Sequence, residues 1–140
     1  MRVRDIMTQD LKIAQLNSNL VQVAKMMEEE DVGAIPVVEA QKLKGIVTDR
    51  DIIIRAIAQE KDPQKVQAGE IMTDSPITIT PDGDAHEAAR IMSEKQIRRI
   101  PVVEQGNLVG MLSLGDLAVV NIHVDEAGEA LSGISQGIQH

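Results

Sequence analysis

Phenylalanine, tyrosine, tryptophan and cysteine are all absent from the chain. Without aromatics no ring can stack on a planar ligand. The core must be assembled from Ile, Val, Leu, Met and Ala, each of which buries less surface than a ring. Without cysteine there are neither disulfides nor thiolate chemistry. Basic charge is also short: 14 Lys and Arg stand against 22 Asp and Glu, a formal net charge of −8. That balance argues against a nucleic-acid polymer as partner, because phosphate-backbone binding needs a basic field; a few placed cations can still hold a small anion. No apolar run is long enough to span a membrane, and residues 1–9 lack the pattern of a signal peptide, so a cytoplasmic protein with no membrane partner is expected. His86, His123 and His140 are scattered without ligand spacing, and no metal site is expected.

What is present suits a folded chain. Apolar residues make up 43% of 140 positions, close to the globular average. That length fits one compact domain or two very small ones. Two halves with such small-residue cores would each be marginal alone, and should need one another and a second chain.

The chain repeats itself. Ile6-Met7-Thr8 recurs as Ile71-Met72-Thr73, Ile35-Pro36-Val37-Val38-Glu39 as Ile100-Pro101-Val102-Val103-Glu104, and Gly45 and Asp51 as Gly110 and Asp116, always at an offset of 65. Aligning residues 5–55 with 70–120 needs no gap and matches 14 of 51 positions. The pattern predicts repeats at 1–58 and 70–120, a linker at 59–69, and a tail at 121–140. The tail's Val124, Leu131, Ile134 and Ile138 suit a docking helix, although its glycines weaken one.

Each repeat predicts the order β-α-β-β-α. Short strands are expected at Lys12–Gln15 and Ile77–Thr80. A helix follows, capped by Asn17 or Ser18 with Leu20, Val23, Ala24 and Met27 on its apolar face. In the second copy Asp82 or Asp84 is the cap, and Ala85, Ala88, Ala89 and Met92 form the face. Strands Ile35–Glu39 and Leu43–Thr48 should pair as a hairpin around Ala40-Gln41-Lys42, and Ile100–Glu104 with Leu108–Ser113 around Gln105-Gly106-Asn107. A last helix starts near Asp49 or Gly115; in the first copy it carries Ile52, Ile53, Ala56 and Ile57. Pro36 and Pro101 fall at strand starts, where a missing N–H does least harm. The fold class is therefore α/β of the α+β kind, built from two repeats.

Gly45-Ile46-Val47-Thr48-Asp49-Arg50-Asp51 and Gly110-Met111-Leu112-Ser113-Leu114-Gly115-Asp116, with the Ile-Met-Thr openings and Ile-Pro-Val-Val strands, resemble the tandem CBS domain, or Bateman module, over residues 3–120. The resemblance is to stand-alone bacterial members that carry no enzyme or transporter domain. It implies pseudo-two-fold packing of the repeats, two clefts between them for AMP, ADP, ATP, NAD or S-adenosylmethionine, and a homodimer.

The residues fit that expectation. Asp51 and Asp116 can accept hydrogen bonds from both ribose hydroxyls, at roughly 1.5–3 kcal/mol each. The hydroxyls of Thr48 and Ser113, with free N–H groups at the helix start, can meet a phosphate. The same Thr, Ser and Asp are also ordinary helix caps. Arg98 and Arg99 precede the second Pro-Val-Val strand where the first repeat has Gly33 and Ala34. The family commonly places a phosphate-holding base at the position of Arg99, and a guanidinium fork suits a phosphate; the alternative is a solvated cation paired with a Glu. The resemblance lays adenine against the opposite repeat. The main cleft then comprises Thr8, Lys12, Ile13, Arg98, Arg99, Met111, Ser113 and Asp116, and the second Ile46, Thr48, Asp51, Thr73, Ile77 and Thr78.

No nucleophile–base pair or pair of opposed acids appears, so no catalysis is expected. The expected function is a regulatory sensor that binds an adenine nucleotide and passes its state to an effector protein unknown from the sequence. No cofactor is obligatory. The few basic residues favour AMP or ADP over ATP, NAD and S-adenosylmethionine. The alternative is a ligand-free module for homodimerisation or protein interaction.

Overall fold

The computed structural model describes residues 1–118. A 3-10 turn at Val3–Asp5 leads to α1 (Leu20–Glu30), β1 (Ala34–Glu39), β2 (Lys42–Thr48) and α2 (Asp49–Ile52), which continues as a π-turn, Ile53–Ile57. Then follow α3 (Ala68–Ile71), β3 (Thr73–Asp74), α4 (Ala85–Lys95), β4 (Arg99–Glu104), β5 (Asn107–Ser113) and α5 (Leu114–Ala118). The mixture of helices and antiparallel hairpins is the expected class. The tail helix proposed at 121–140 lies outside the described residues.

The compact units are not the sequence repeats. Of the described residues, 1–11 and 77–118 form one unit, the split unit, and Lys12–Pro76 form the other, the continuous unit. The cause is visible in the cores. Val3 is fully buried with Ala88, Met92, Ile100 and Leu112, and Ile6 and Met7 pack against them. Ile71 is buried with Leu20, Val23, Ile35 and Val47, and Met72 packs against them. Each hairpin therefore packs the Ile-Met-Thr segment that opens the other repeat. Arg4 fastens the split unit: its guanidinium donates to Asp82 Oδ1 at 2.8 Å, and that hydrogen bond and charge hold its pKa above the ordinary Arg value.

Gly45 and Gly110 make this docking possible. A Cβ on Gly45 would lie 2.6 Å from Met72 Sδ and 2.7 Å from the Thr73 carbonyl; one on Gly110 would lie 2.7 Å from Met7 Sδ and 3.0 Å from the Thr8 carbonyl. Only a residue without a side chain lets the segment lie this close. Ile46 then pairs antiparallel with Thr73, and Met111 with Thr8.

Several elements differ from expectation. The strands predicted at Lys12–Gln15 and Ile77–Thr80 shrink to single parallel bridges, Ala14 with Val37 and Ile79 with Val102. The prolines explain this. Ala14 N–H donates to the Pro36 carbonyl and Val38 N–H to the Ala14 carbonyl. The next rung would need a Pro36 N–H for the Lys12 carbonyl, and proline has none. Pro101 stops the Ile79 bridge in the same way. Both prolines sit inside their strands, with the missing N–H on the side away from the hairpin partner. The cap of α1 is Asn19, whose Oδ1 accepts from Gln22 N–H at 2.9 Å; Ser18 instead accepts from Gln15 N–H. Ala24 is exposed, whereas Leu20, Val23 and Met27 are buried. Asp84 caps α4, and Ala85, Ala88, Ala89 and Met92 are all buried.

The hairpin reversals use two residues, with Lys42 and Asn107 already in the strands. Ala40 and Gln41 have φ of 50° and 70°, and Gln105 and Gly106 have 54° and 82°, the positive-φ pairing of a type I′ turn. After α2 the wider turn spaces its inward face by more than a normal helix does. Ala56 is buried and Ile52 half-buried, but Ile53, Ile54 and Ile57 are 57%, 47% and 51% exposed. Within residues 59–69, Val66 and Ala68 belong to the continuous unit's core and Gln67 bridges to Asn19, so the end of this stretch is packed.

Candidate functional site

Both loops after the hairpins close as capping boxes. Ser113 N–H donates to Asp116 Oδ2 at 2.8 Å, and Asp116 N–H donates to Ser113 Oγ at 3.0 Å. Thr48 and Asp51 repeat this at 2.9 and 3.0 Å. The cap role and the ligand role are compatible. The box fixes the carboxylate and uses one lone pair on Oδ2, so the hydroxyl proton and further carboxylate lone pairs can still meet a ligand.

The N–H groups expected to be free at the helix start are mostly taken. Asp116 and Asp51 N–H serve the boxes, Leu114 N–H donates to the Arg98 carbonyl at 2.8 Å, and Asp49 N–H to the Gly33 carbonyl at 2.9 Å. These bonds hold residues 98 and 33 beside their helix starts.

In the split unit, Thr8, Met111, Ser113 and Asp116 come together. Thr8 N–H donates to the Met111 carbonyl and Met111 N–H to the Thr8 carbonyl, both at 2.9 Å, and Thr8 Oγ1 lies 3.3 Å from Asp116 Oδ1. Arg99 is half-buried and Arg98 exposed, and among the described residues neither guanidinium has a carboxylate partner. A carboxylate and two hydroxyls thus meet at the end of β5, where the backbone of Ser113 pairs with that of Arg99 and Leu114 N–H reaches the Arg98 carbonyl.

In the continuous unit the Thr48–Asp51 box follows β2 and Ile46 pairs with Thr73 of β3, but the charges differ. Asp51 has a 13% exposed side chain, and its Oδ1 lies 3.7 Å from Arg55 Nε. Arg55 Nη1 also donates to the Ile71 carbonyl at 3.0 Å, so it ties the loop to the docked segment. Asp49 Oδ1 accepts from Arg50 N–H at 2.8 Å.

Lys12 and Ile13 belong to the continuous unit and Ile77 and Thr78 to the split unit, so neither pair shares a unit with the carboxylate it was grouped with. Lys12 Nζ lies 3.8 Å from Glu29 Oε2, Ile13 and Ile77 are 38% and 39% exposed, and Thr78 is exposed. Two charged neighbours of these loops are not among the residues named from the sequence: Arg55, beside Asp51, and Asp49, beside Gly33. The first is signalled by its four-residue spacing from Asp51, and the second by facing Leu114 in the repeat alignment.

The family model of the CBS domain matches residues 3–57 and 68–123. The chain belongs to the tandem CBS-domain family. It is similar to the CBS domain-containing protein YhcV of Bacillus subtilis, at 42% identity over 95% of this chain and 94% of the relative. Among solved structures it is similar to Hypoxic Response Protein I with two coordinated zinc ions, at 32% identity and a TM-score of 0.79, covering 86% of this chain and 98% of that one. It is also similar to the CBS domain protein PAE2072 from Pyrobaculum aerophilum complexed with AMP, at 28% identity and a TM-score of 0.79, covering 91% and 98%. Among the described residues of this CBS pair, no group of three or more His, Cys, Asp or Glu could hold a metal ion, and no helix is long and apolar enough to cross a membrane.

Proposed function

We propose that this CBS pair is a regulatory module that binds an adenine nucleotide, AMP or ADP, at the Ser113 site and catalyses no reaction. The observation that carries the reading is the Asp116 carboxylate, fixed by Ser113 and hydrogen-bonded by Thr8, next to two arginines without carboxylate partners among the described residues. The AMP complex of the similar PAE2072 supports the ligand class. Asp116 accepts from the ribose hydroxyls, Thr8 turns its hydroxyl to sugar or base, and Arg99 with the Ser113 hydroxyl meets the phosphate. The Arg98–Arg99 pair suits one or two phosphates better than three. With no aromatic side chain, the base is held between aliphatic groups and read by backbone N–H and C=O. The regulatory effect requires that nucleotide favour one arrangement of the protein over another; an effector protein then reads the shift.

Calorimetric titration with AMP tests this. Asp116→Asn keeps an acceptor for the Ser113 N–H but removes the charge, so it should weaken AMP by roughly 1.5–3 kcal/mol without unfolding the loop. Unchanged affinity would remove Asp116 from the ribose; no binding of AMP, ADP, ATP, NAD or S-adenosylmethionine at millimolar concentration would remove the function.

The exposed Ile53, Ile54 and Ile57 favour a second reading, a protein-interaction module that forms a homodimer through that turn. Thermal melting separates the two: AMP at 100 times its dissociation constant should stabilise the nucleotide binder by about 2.7 kcal/mol and leave a pure interaction module unchanged.

A further inference from the structure

The two repeats differ in charge where a phosphate would lie. Resting on the nucleotide reading above, we propose that the Thr48 site takes an adenine nucleoside without phosphate because Asp49 already fills its anion position, so that AMP binds once per chain, at the Ser113 site.

Three N–H groups follow β5. Leu114's is taken by the Arg98 carbonyl and Asp116's by Ser113 Oγ, while Gly115's has no acceptor among the described residues. The matching three follow β2. Asp49's goes to the Gly33 carbonyl and Asp51's to Thr48 Oγ1, but Arg50's, the counterpart of Gly115's, donates to Asp49 Oδ1 at 2.8 Å. Asp49 thus covers with its own carboxylate the donor that its counterpart leaves open.

The other carboxylate oxygen lies against the residue that precedes β1: Asp49 Oδ2 would be 3.0 Å from a Cβ on Gly33. Gly33 and Ala34 occupy the positions of Arg98 and Arg99, and Asp49 that of Leu114. Two cations and a leucine in one repeat become no cation and a carboxylate in the other. Arg50 is exposed on the same turn and balances Asp49 without making the site cationic, and Arg55 is engaged by Asp51 and the Ile71 carbonyl. A phosphate reaching the Arg50 N–H would have to displace the carboxylate and face its charge at close range. A nucleoside meets no such opposition, since its ribose asks only for Asp51.

Calorimetry with AMP and with adenosine on the parent protein, Asp49→Asn and Asp49→Leu tests the proposal. Asn keeps an acceptor for the Arg50 N–H, and Leu copies the other repeat. The parent should bind one AMP per chain tightly. Both variants should gain a second AMP, or tighten a weak second one by about tenfold or more, while adenosine affinity stays within about twofold. Two equivalent AMP sites in the parent, or variants that bind AMP as the parent does, would overturn this inference and leave the Ser113 site standing. If neither AMP nor adenosine binds the parent, the nucleotide function itself fails, and this inference with it.

Discussion

Adding one methyl group at Gly45 should loosen the continuous unit. A Cβ there meets the Thr73 carbonyl at 2.7 Å and Met72 at 2.6 Å (Sδ) and 2.9 Å (Cγ). The methionine can rotate, but the carbonyl is backbone and part of the β2–β3 pair, so the segment carrying Ile71 must move outward by about half an ångström. Overpacking of this kind costs about 2–3 kcal/mol, a fall in melting temperature of roughly 5–10 °C for a chain of this size. Gly110→Ala should cost less, about 1–2 kcal/mol, because its nearest carbonyl, that of Thr8, stands at 3.0 Å. Gly115→Ala is the control. Its Cβ would meet only Ser113 Oγ at 3.6 Å, and loss of unfolded-chain freedom should stabilise by about 0.4–1 kcal/mol. Because the chain lacks Trp and Tyr, melting is followed by far-UV circular dichroism or calorimetry rather than fluorescence. If Gly45→Ala melts with the parent or above it, the close approach of the Ile-Met-Thr segment is not what holds this unit.

Other substitutions probe separate links. Gln41→Gly should stabilise by about 0.5–1 kcal/mol, because residue 41 sits at φ 70° and the second repeat already has Gly106 there; an unchanged melting temperature would show the turn to be unstrained. Asn19→Ala removes the cap of α1 and should destabilise by about 0.5–2 kcal/mol in thermal melting, whereas Asn17→Ala should do nothing measurable. Arg55→Met keeps the aliphatic stem but drops a half-exposed ion pair and the bond to the Ile71 carbonyl, so the loss should stay within about 1 kcal/mol; a larger loss would make that tether the main hold on the docked segment.

The repeat carried most of the fold into view. Hairpins such as Ala34–Thr48 are local, and their buried Pro-Val-Val runs and reversals recur at a fixed offset. What stayed hidden is non-local. Nothing near Val3 announces that it packs against Met92 and Leu112, and nothing near Ile71 announces Leu20; the exchange of opening segments arises only when two hairpins each need a third edge. The bridges at Ala14 and Ile79 were overread as strands because the effect of Pro36 and Pro101 falls on the partner chain segment, not on the proline's own. At the site, the Ser113–Asp116 and Thr48–Asp51 pairs were legible from a three-residue spacing that serves equally as a cap. The Thr8–Asp116 contact joins residues 108 positions apart, and only the family resemblance brought them together. Asp49 was legible in principle, since it faces Leu114 in the alignment, but its capping of the Arg50 N–H needed the backbone.

A crystal structure of the protein grown with AMP tests the central claim most directly. Binding at the Ser113 site predicts both ribose hydroxyl oxygens within about 2.5–3.0 Å of the Asp116 carboxylate, with the phosphate toward Arg99. AMP bound elsewhere, while Asp116 keeps only Ser113 and Thr8 as partners, would contradict it.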